Sequence, residues 1–288
     1  MNIFITGAGG FIGRQLIKDI AADGRFEKVY CLFRKDTDLP PGFVAVKGTL
    51  EGLSEIPAID ADVCIHLAAI TNSQTPGSDE VFKTNADGTA NVVEFCKNSG
   101  IKKIVFLSSI NVYLQKKYEY ALSKLAAEEH IRNSGLEYSI LRCSLVYGSR
   151  CQSFETILHF AKKLHFVPVF GNGEAIEQPI YIDEVSRAIL SHVALTDENV
   201  TCDLFGKTKM TYNEMVKKLT CAAGAKAVMV HLPKKPVVTV SEFCYRNKIH
   251  FPIQPEQISH MCENLGCDGD PDEVFQMDEF DKNLKKYI

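Results

Sequence analysis

The chain of 288 residues is long enough for about two domains, and with 45% hydrophobic and 24% charged residues it is composed to bury a core. A net charge of −4 without a basic stripe argues against nucleic acid as a partner, and no apolar run approaches the roughly 18 residues that span a bilayer, so no membrane partner is expected. The start MNIFITGAGG has no basic leader and turns glycine-rich at once, and the ten cysteines form no C-x-x-C pair; a reduced, cytoplasmic protein is expected.

Short β-branched runs alternate with helical periodicity over the first two thirds. Strands are predicted at NIFIT (2–6), KVYCLF (28–33), FVAVKG (43–48), DVCIHLA (62–68), KIVFLSS (103–109) and YSILRCS (138–144). Amphipathic segments such as GRQLIKDIAADG lie between them. Apolar strands separated by such helices predict an α/β fold, a Rossmann-type doubly wound parallel sheet covered on both faces. After Gly148 the rhythm changes. A helical stretch and the turn-rich FGNGEA fill 151–176, a strand and helix follow in PIYIDEVSRAILSHVAL, and TCDLFG (201–206) reads as a further strand. The expected division is a dinucleotide-binding domain of 1–150 with 177–206 returning to it. A smaller C-terminal substrate domain takes 151–176 and 207–288.

The loop ITGAGGFIG follows the first strand and opens a helix. Gly7, Gly10 and Gly13 permit a tight turn and close approach of backbone to a pyrophosphate, and the first helical residues, Phe11 and Ile12, present N–H groups at the positive end of the helix. In the second strand Phe33 stands where an acidic residue would accept from a ribose, and Arg34 follows. A guanidinium suits a 2′-phosphate, so NADP is the expected cofactor, with NAD open through Asp36 or Asp38. Two Tyr-x-x-x-Lys pairs occur, Tyr113/Lys117 and Tyr120/Lys124. Only the second opens a strong helix, YALSKLAAEEHIRN. His260, Cys262 and Cys267 match no common metal spacing, and no metal is expected.

TGAGGFIG, HLAA (66–69), NADGTANVVEF (85–95), FLSSINVY (106–113), YALSK (120–124), LRCSLVYG (141–148) and QPIYIDEV (178–185) occur in one order. In that order the chain resembles the extended short-chain dehydrogenase/reductases of the NAD-dependent epimerase/dehydratase group, which act on nucleotide sugars. More narrowly, VPVFGNGEAIEQPIYIDEV resembles a branch that includes the NADPH-binding accessory subunit of respiratory complex I. The resemblance implies Tyr120 as catalytic acid/base, Lys124 as the charge that tunes it and a ligand of the cofactor ribose, and Ser109 as a hydrogen-bond partner of the reacting oxygen. It implies cofactor contacts from Leu50, Leu67, Ala68, Ala69, Asn85, Cys143 and Leu145, and substrate contacts from Thr71, Asn111 and Gln178. A homodimer is compatible with it.

Departures from the family pattern refine the expectation. Thr49 replaces the Asp that usually precedes Leu50, Cys143 replaces a Pro, and Leu114 a Gly. Only ten residues separate Ser109 from Tyr120, so a more open substrate cleft is expected. Ile110 and Asn111 follow Ser109 where dehydratases carry Asp-Glu, which argues against elimination of water. The expected activity is NAD(P)-dependent reduction of a keto-sugar nucleotide. The alternatives are a 4-epimerase that keeps NAD bound and a non-catalytic NADPH-binding assembly or regulatory protein.

Overall fold

The computed structural model describes residues 1–35, 37–71, 79–195, 199–251, 253–266 and 277–288. The chain opens with β1 (Ile3–Thr6), α1 (Phe11–Asp23), β2 (Val29–Phe33), β3 (Phe43–Lys47) and β4 (Val63–His66). A short helix α2 (Glu80–Phe82) runs through a π-helical turn, Lys83–Asp87, into α3 (Gly88–Asn98). Then come β5 (Lys103–Ser109), α4 (Glu119–Arg132), β6 (Glu137–Cys143), β7 (Val146–Tyr147), α5 (Gln152–Leu164), β8 (Phe166–Phe170), β9 (Ile176–Glu177) and β10 (Ile180–Tyr181). The remainder is α6 (Ile182–Ala194), β11 (Val200–Leu204), β12 (Met210–Thr211), α7 (Tyr212–Ala222), β13 (Val228–Leu232), α8 (Lys234–Arg246), α9 (Pro255–His260) and α10 (Phe280–Tyr287).

Seven strands form one sheet in the order β11-β6-β5-β4-β1-β2-β3, parallel at every junction. This is the doubly wound sheet expected from the β-branched runs. Its central strands are apolar on both faces because both are covered. Ile3, Ile5, Val105 and Leu141 pack under α1 and α6, while Phe4, Cys64, Ile104 and Ile140 pack under α3 and α4. The chain winds outward from β1 to β3, then returns to lay β4 on the other side of β1. That reversal opens a crevice at the carboxyl ends of β1 and β4, the place where such sheets bind ligands.

A third apolar cluster joins Tyr147, Phe154, Val167, Val169, Met215, Leu219, Phe280 and Leu284. It draws on α5, α7 and α10, and β8 pairs in parallel with β13 against it. Among the described residues no helix is long and apolar enough to cross a membrane.

Candidate active site

The glycine loop sits at the crevice. Gly7 has φ +74°, and a Cβ there would lie 2.5 Å from the Ala68 nitrogen; a Cβ on Gly13 would lie 2.2 Å from the Gly7 oxygen. No other residue fits this turn, and its compactness brings the backbone of 7–13 against that of Leu67 and Ala68. Gly10 begins α1, whose first turn, with Phe11 and Ile12 half-buried, carries no acidic residue to compete with an anion. The residues present fit a dinucleotide pyrophosphate: a compact glycine turn leading into a helix N-terminus without acidic side chains. Phe33 lies beside Gly9 and Arg34 is exposed at the end of β2. Asp36 lies outside the described residues.

Behind the loop runs a buried hydrogen-bond chain that pattern reading did not single out. The Thr89 hydroxyl donates to the Asn85 carbonyl at 2.5 Å, so its oxygen is left to accept from His66 Nε2 at 2.9 Å. His66 Nδ1 is then the acceptor for the Thr6 hydroxyl at 2.6 Å, and the Ala68 N–H donates to Thr6 Oγ1. Burial, with Lys124 adding to it, pulls the imidazole down to about 3, which keeps it neutral and suits this single tautomer. The Asn85 side chain pairs with both backbone groups of Ile70 and donates to Ser123 Oγ at 3.0 Å. Loop, crevice and catalytic helix are thereby tied together.

Ser109 ends β5, opposite Cys143 in the register, and its Oγ accepts from the Asn111 N–H. Tyr120 lies in the first turn of α4. Burial pushes its phenol well up, the Ser109 hydroxyl pulls it back by hydrogen bonding, and Glu256 and Cys143 push it up further. Lys124 follows one turn on, buried, over the Phe106 ring at 4.1 Å, with Nζ donating to the Leu107 carbonyl at 2.6 Å. Burial brings it down to about 7 against the pull of Glu128 and Cys143. Ser109 and Tyr120 are thus brought together. The Lys124 ammonium points to the Leu107 carbonyl, and the groups that tune Tyr120 are Ser109, Glu256 and Cys143.

The rival pair is not assembled. The Tyr113 hydroxyl meets Asp203 and Arg142, while Lys117 donates to the Leu114 carbonyl. Leu50 is turned into the core against Gly88, and its carbonyl accepts from Asn91. Ala69 and Thr71 are exposed beyond β4, Leu145 is half-buried, and Gln178 is buried with its carbonyl accepting from Ser144.

Beside the short 110–119 loop, where a more open cleft is expected, the C-terminal segment occupies the space. Helices α8 and α9 pack onto that loop. Glu242 accepts from Tyr118 at 2.7 Å and pairs with Lys116, Tyr245 donates to Glu119, and Glu263 accepts from the Gln115 N–H. Asn111 is fully engaged: its Nδ2 donates to Glu256 Oε1 at 2.8 Å and its Oδ1 meets His260 Nδ1 at 2.7 Å. Glu256 also accepts from the Ala121 N–H. Its carboxyl is raised by burial, against Asn111. His260 is lowered by burial but carried net upward by Glu177, 3.5 Å from Nε2. The pocket left beside Tyr120, lined by Thr71, Tyr118, Tyr245 and Pro255, is about 10 Å³, room for one water. A short loop lowers the wall from one side only, and the C-terminal segment fills what it vacates.

The profile of the NAD dependent epimerase/dehydratase family matches residues 3–202. The chain belongs to that family. It is an enzyme of the extended short-chain dehydrogenase/reductase type. It is 25% identical over 276 residues to the NADH dehydrogenase (ubiquinone) 1 alpha subcomplex subunit 9 of Arabidopsis thaliana mitochondria, across 89% of this chain and 67% of that one. It is 23% identical over 269 residues to the N-acetyl-alpha-D-glucosaminyl-diphospho-ditrans,octacis-undecaprenol 4-epimerase of Escherichia coli O157:H7, across 85% and 78%. The UDP-glucuronic acid 4-epimerase of Bacillus cereus, solved with UDP-glucuronic acid and NAD, superposes with a TM-score of 0.75 over 100% of this chain and 98% of that one, at 19% identity.

Proposed function

We propose that the protein is an NADP(H)-dependent oxidoreductase that reduces a keto-sugar nucleotide, with Tyr120 as proton donor. The observation that carries the reading is the junction of Ser109 with a Tyr120 phenol held protonated by burial, at the crevice beside the glycine loop. A phenol so disposed is an acid at neutral pH, which suits a carbonyl that gains a hydride and then needs a proton. Gly7, Gly10 and Gly13 with the start of α1 would hold the pyrophosphate, and Arg34 a 2′-phosphate; when bound, the nicotinamide supplies the hydride. Ser109 would orient the carbonyl oxygen, and Lys124 would pass from the Leu107 carbonyl to a cofactor ribose. Residues 151–176 and 207–288 would form the substrate-binding cap, and Thr71 and Gln178 its polar contacts.

The second reading, a 4-epimerase with captive NAD, is favoured by the names of the Escherichia coli and Bacillus cereus relatives. Incubation with NADPH and a panel of UDP- and dTDP-4-keto sugars separates the two. Net NADPH consumption supports reduction. Retained NAD with interconversion of 4-epimers and no net consumption overturns it. Tyr120→Phe lowers turnover by about 10²–10⁴-fold while cofactor binding persists; unchanged turnover refutes the assignment of the acid.

A further inference from the structure

The ribbon of β8 and β13 presents an apolar face on its outer side. Val167 and Val169 point inward and are buried in the third cluster, with Met229 packed against it. The alternate residues, which normally turn polar where a sheet faces water, are Phe166, Pro168, Val228 and Val230. They are neighbours in the register, Phe166 beside Val228 and Pro168 beside Val230. Val228 is 70% exposed and Val230 41%, and Leu164 just before β8 is 50% exposed.

Lysines are the only charged residues in the sequence stretches that carry β8 and β13, between Glu155 and Glu174 and between Glu214 and Glu242. Residues 156–173 and 215–241 contain no Asp or Glu but seven lysines, in a chain of 32 basic and 36 acidic residues. With those seven set aside, the other 25 basic residues face all 36 acidic ones. Lys218 and Lys234 pair with Asp281 and Glu263. Lys162, Lys163 and Lys226 flank the ribbon within two residues of Leu164 or Val228, and all three are exposed.

We propose that this face docks on an anionic lipid surface, with Phe166, Val228, Val230 and Leu164 entering the interface and Lys162, Lys163 and Lys226 meeting the headgroups. Exposed apolar side chains flanked by exposed lysines match that partner. A second copy fits worse, because a two-fold contact sets the same lysines against one another. The expectation of no membrane partner rested on the lack of a spanning segment, which a peripheral contact does not need. The proposal is independent of the catalytic reading.

Co-sedimentation of the full chain with phosphatidylglycerol–phosphatidylcholine vesicles and with phosphatidylcholine vesicles tests it. Binding to the anionic vesicles alone, weakened by salt, is expected. Combining Lys162→Glu, Lys163→Glu and Lys226→Glu lowers the partition by about 100-fold, at roughly fivefold per lysine, and Val228→Asp lowers it further. The thermal unfolding of each variant serves as the folding control. Tyr120→Phe binds as the wild type does. Absence of vesicle binding, equal binding to neutral vesicles, or indifference to the lysine changes overturns the proposal. So does a dimer in sedimentation that Val228→Asp dissociates without any vesicle binding, which gives the face to a second copy.

Discussion

Replacing Glu128 by Gln tests how the catalytic helix is held. The Glu128 side chain is fully buried on α4, one turn beyond Lys124. Its Oε1 accepts from Ser108 Oγ at 2.6 Å and Arg142 Nε at 2.9 Å, and its Oε2 from Arg142 Nη2 at 2.7 Å and Arg132 Nη2 at 2.9 Å. Glutamine keeps one acceptor and turns an amide N–H₂ toward a guanidinium that can only donate. Breaking a buried pair from one side costs about 3–5 kcal/mol. Arg132 is 34% exposed and can rehydrate, and Arg142 partly so at 15%, which places the loss near about 3 kcal/mol. For a chain of 288 residues that is a fall in Tm of about 5 °C. The Glu128 carboxyl is lowered in the folded state: burial opposes this, and Arg142, Ser108 and Arg132 outweigh it. A depressed folded value means the stabilisation is present above the unfolded value near 4.5 and is lost as pH falls through the folded one. The gap between wild type and variant should be full at neutral pH and close in acid. Calorimetry across pH measures it. A Tm within about 2 °C of wild type, as for an exposed pair, or a gap that persists in acid, refutes the reasoning.

Gly13→Ala places a Cβ 2.2 Å from the Gly7 oxygen and 2.7 Å from Ala8, so the loop must spread; titration of NADPH fluorescence should show cofactor binding lost, with stability reduced by about 1–3 kcal/mol. Arg34→Ala should raise the KM for NADPH by about 10–100-fold, the worth of charge-assisted hydrogen bonds to a phosphate, and leave that for NADH unchanged. Glu256→Gln removes a negative neighbour that pushes the Tyr120 phenol up. The alkaline limb of the pH–rate profile should therefore move to lower pH, whereas damage to packing alone would lower the rate at every pH.

The parallel sheet was legible because its strands are buried on both faces and read as continuous apolar runs; β5 and β6 follow KIVFLSS and YSILRCS to within a residue or two. Ser109 and Tyr120 were expected from the family motifs they match, and the structure brings the two side chains together where β5 ends and α4 begins. Helix α8 was not. Its run Val237, Val238, Thr239, Val240 looks like a strand, and Pro236 looks like a breaker. Yet proline is tolerated in a first turn, and tertiary contacts through Ser241, Glu242 and Tyr245 decide the helix. Glu256 and His260 were hidden for a different reason. They meet Asn111 across 145 and 149 residues, and no local pattern encodes such a distance.

The way α8 and α9 lie on the 110–119 loop has a consequence for affinity. Their attachments to it are mostly ion pairs and hydrogen bonds, which water or the hydroxyls of an incoming ligand can replace group for group. On the proposed function a sugar needs more room beside Tyr120 than the one-water pocket there, and its binding would be coupled to lifting α9 from Asn111. Each ligand's apparent dissociation constant is then its intrinsic value divided by the fraction of molecules already lifted. An opening free energy of about 2 kcal/mol weakens every ligand by roughly 30-fold and favours those whose own polar groups take over Glu256 and His260. Selectivity would then arise from what the protein must release, as much as from what it grips.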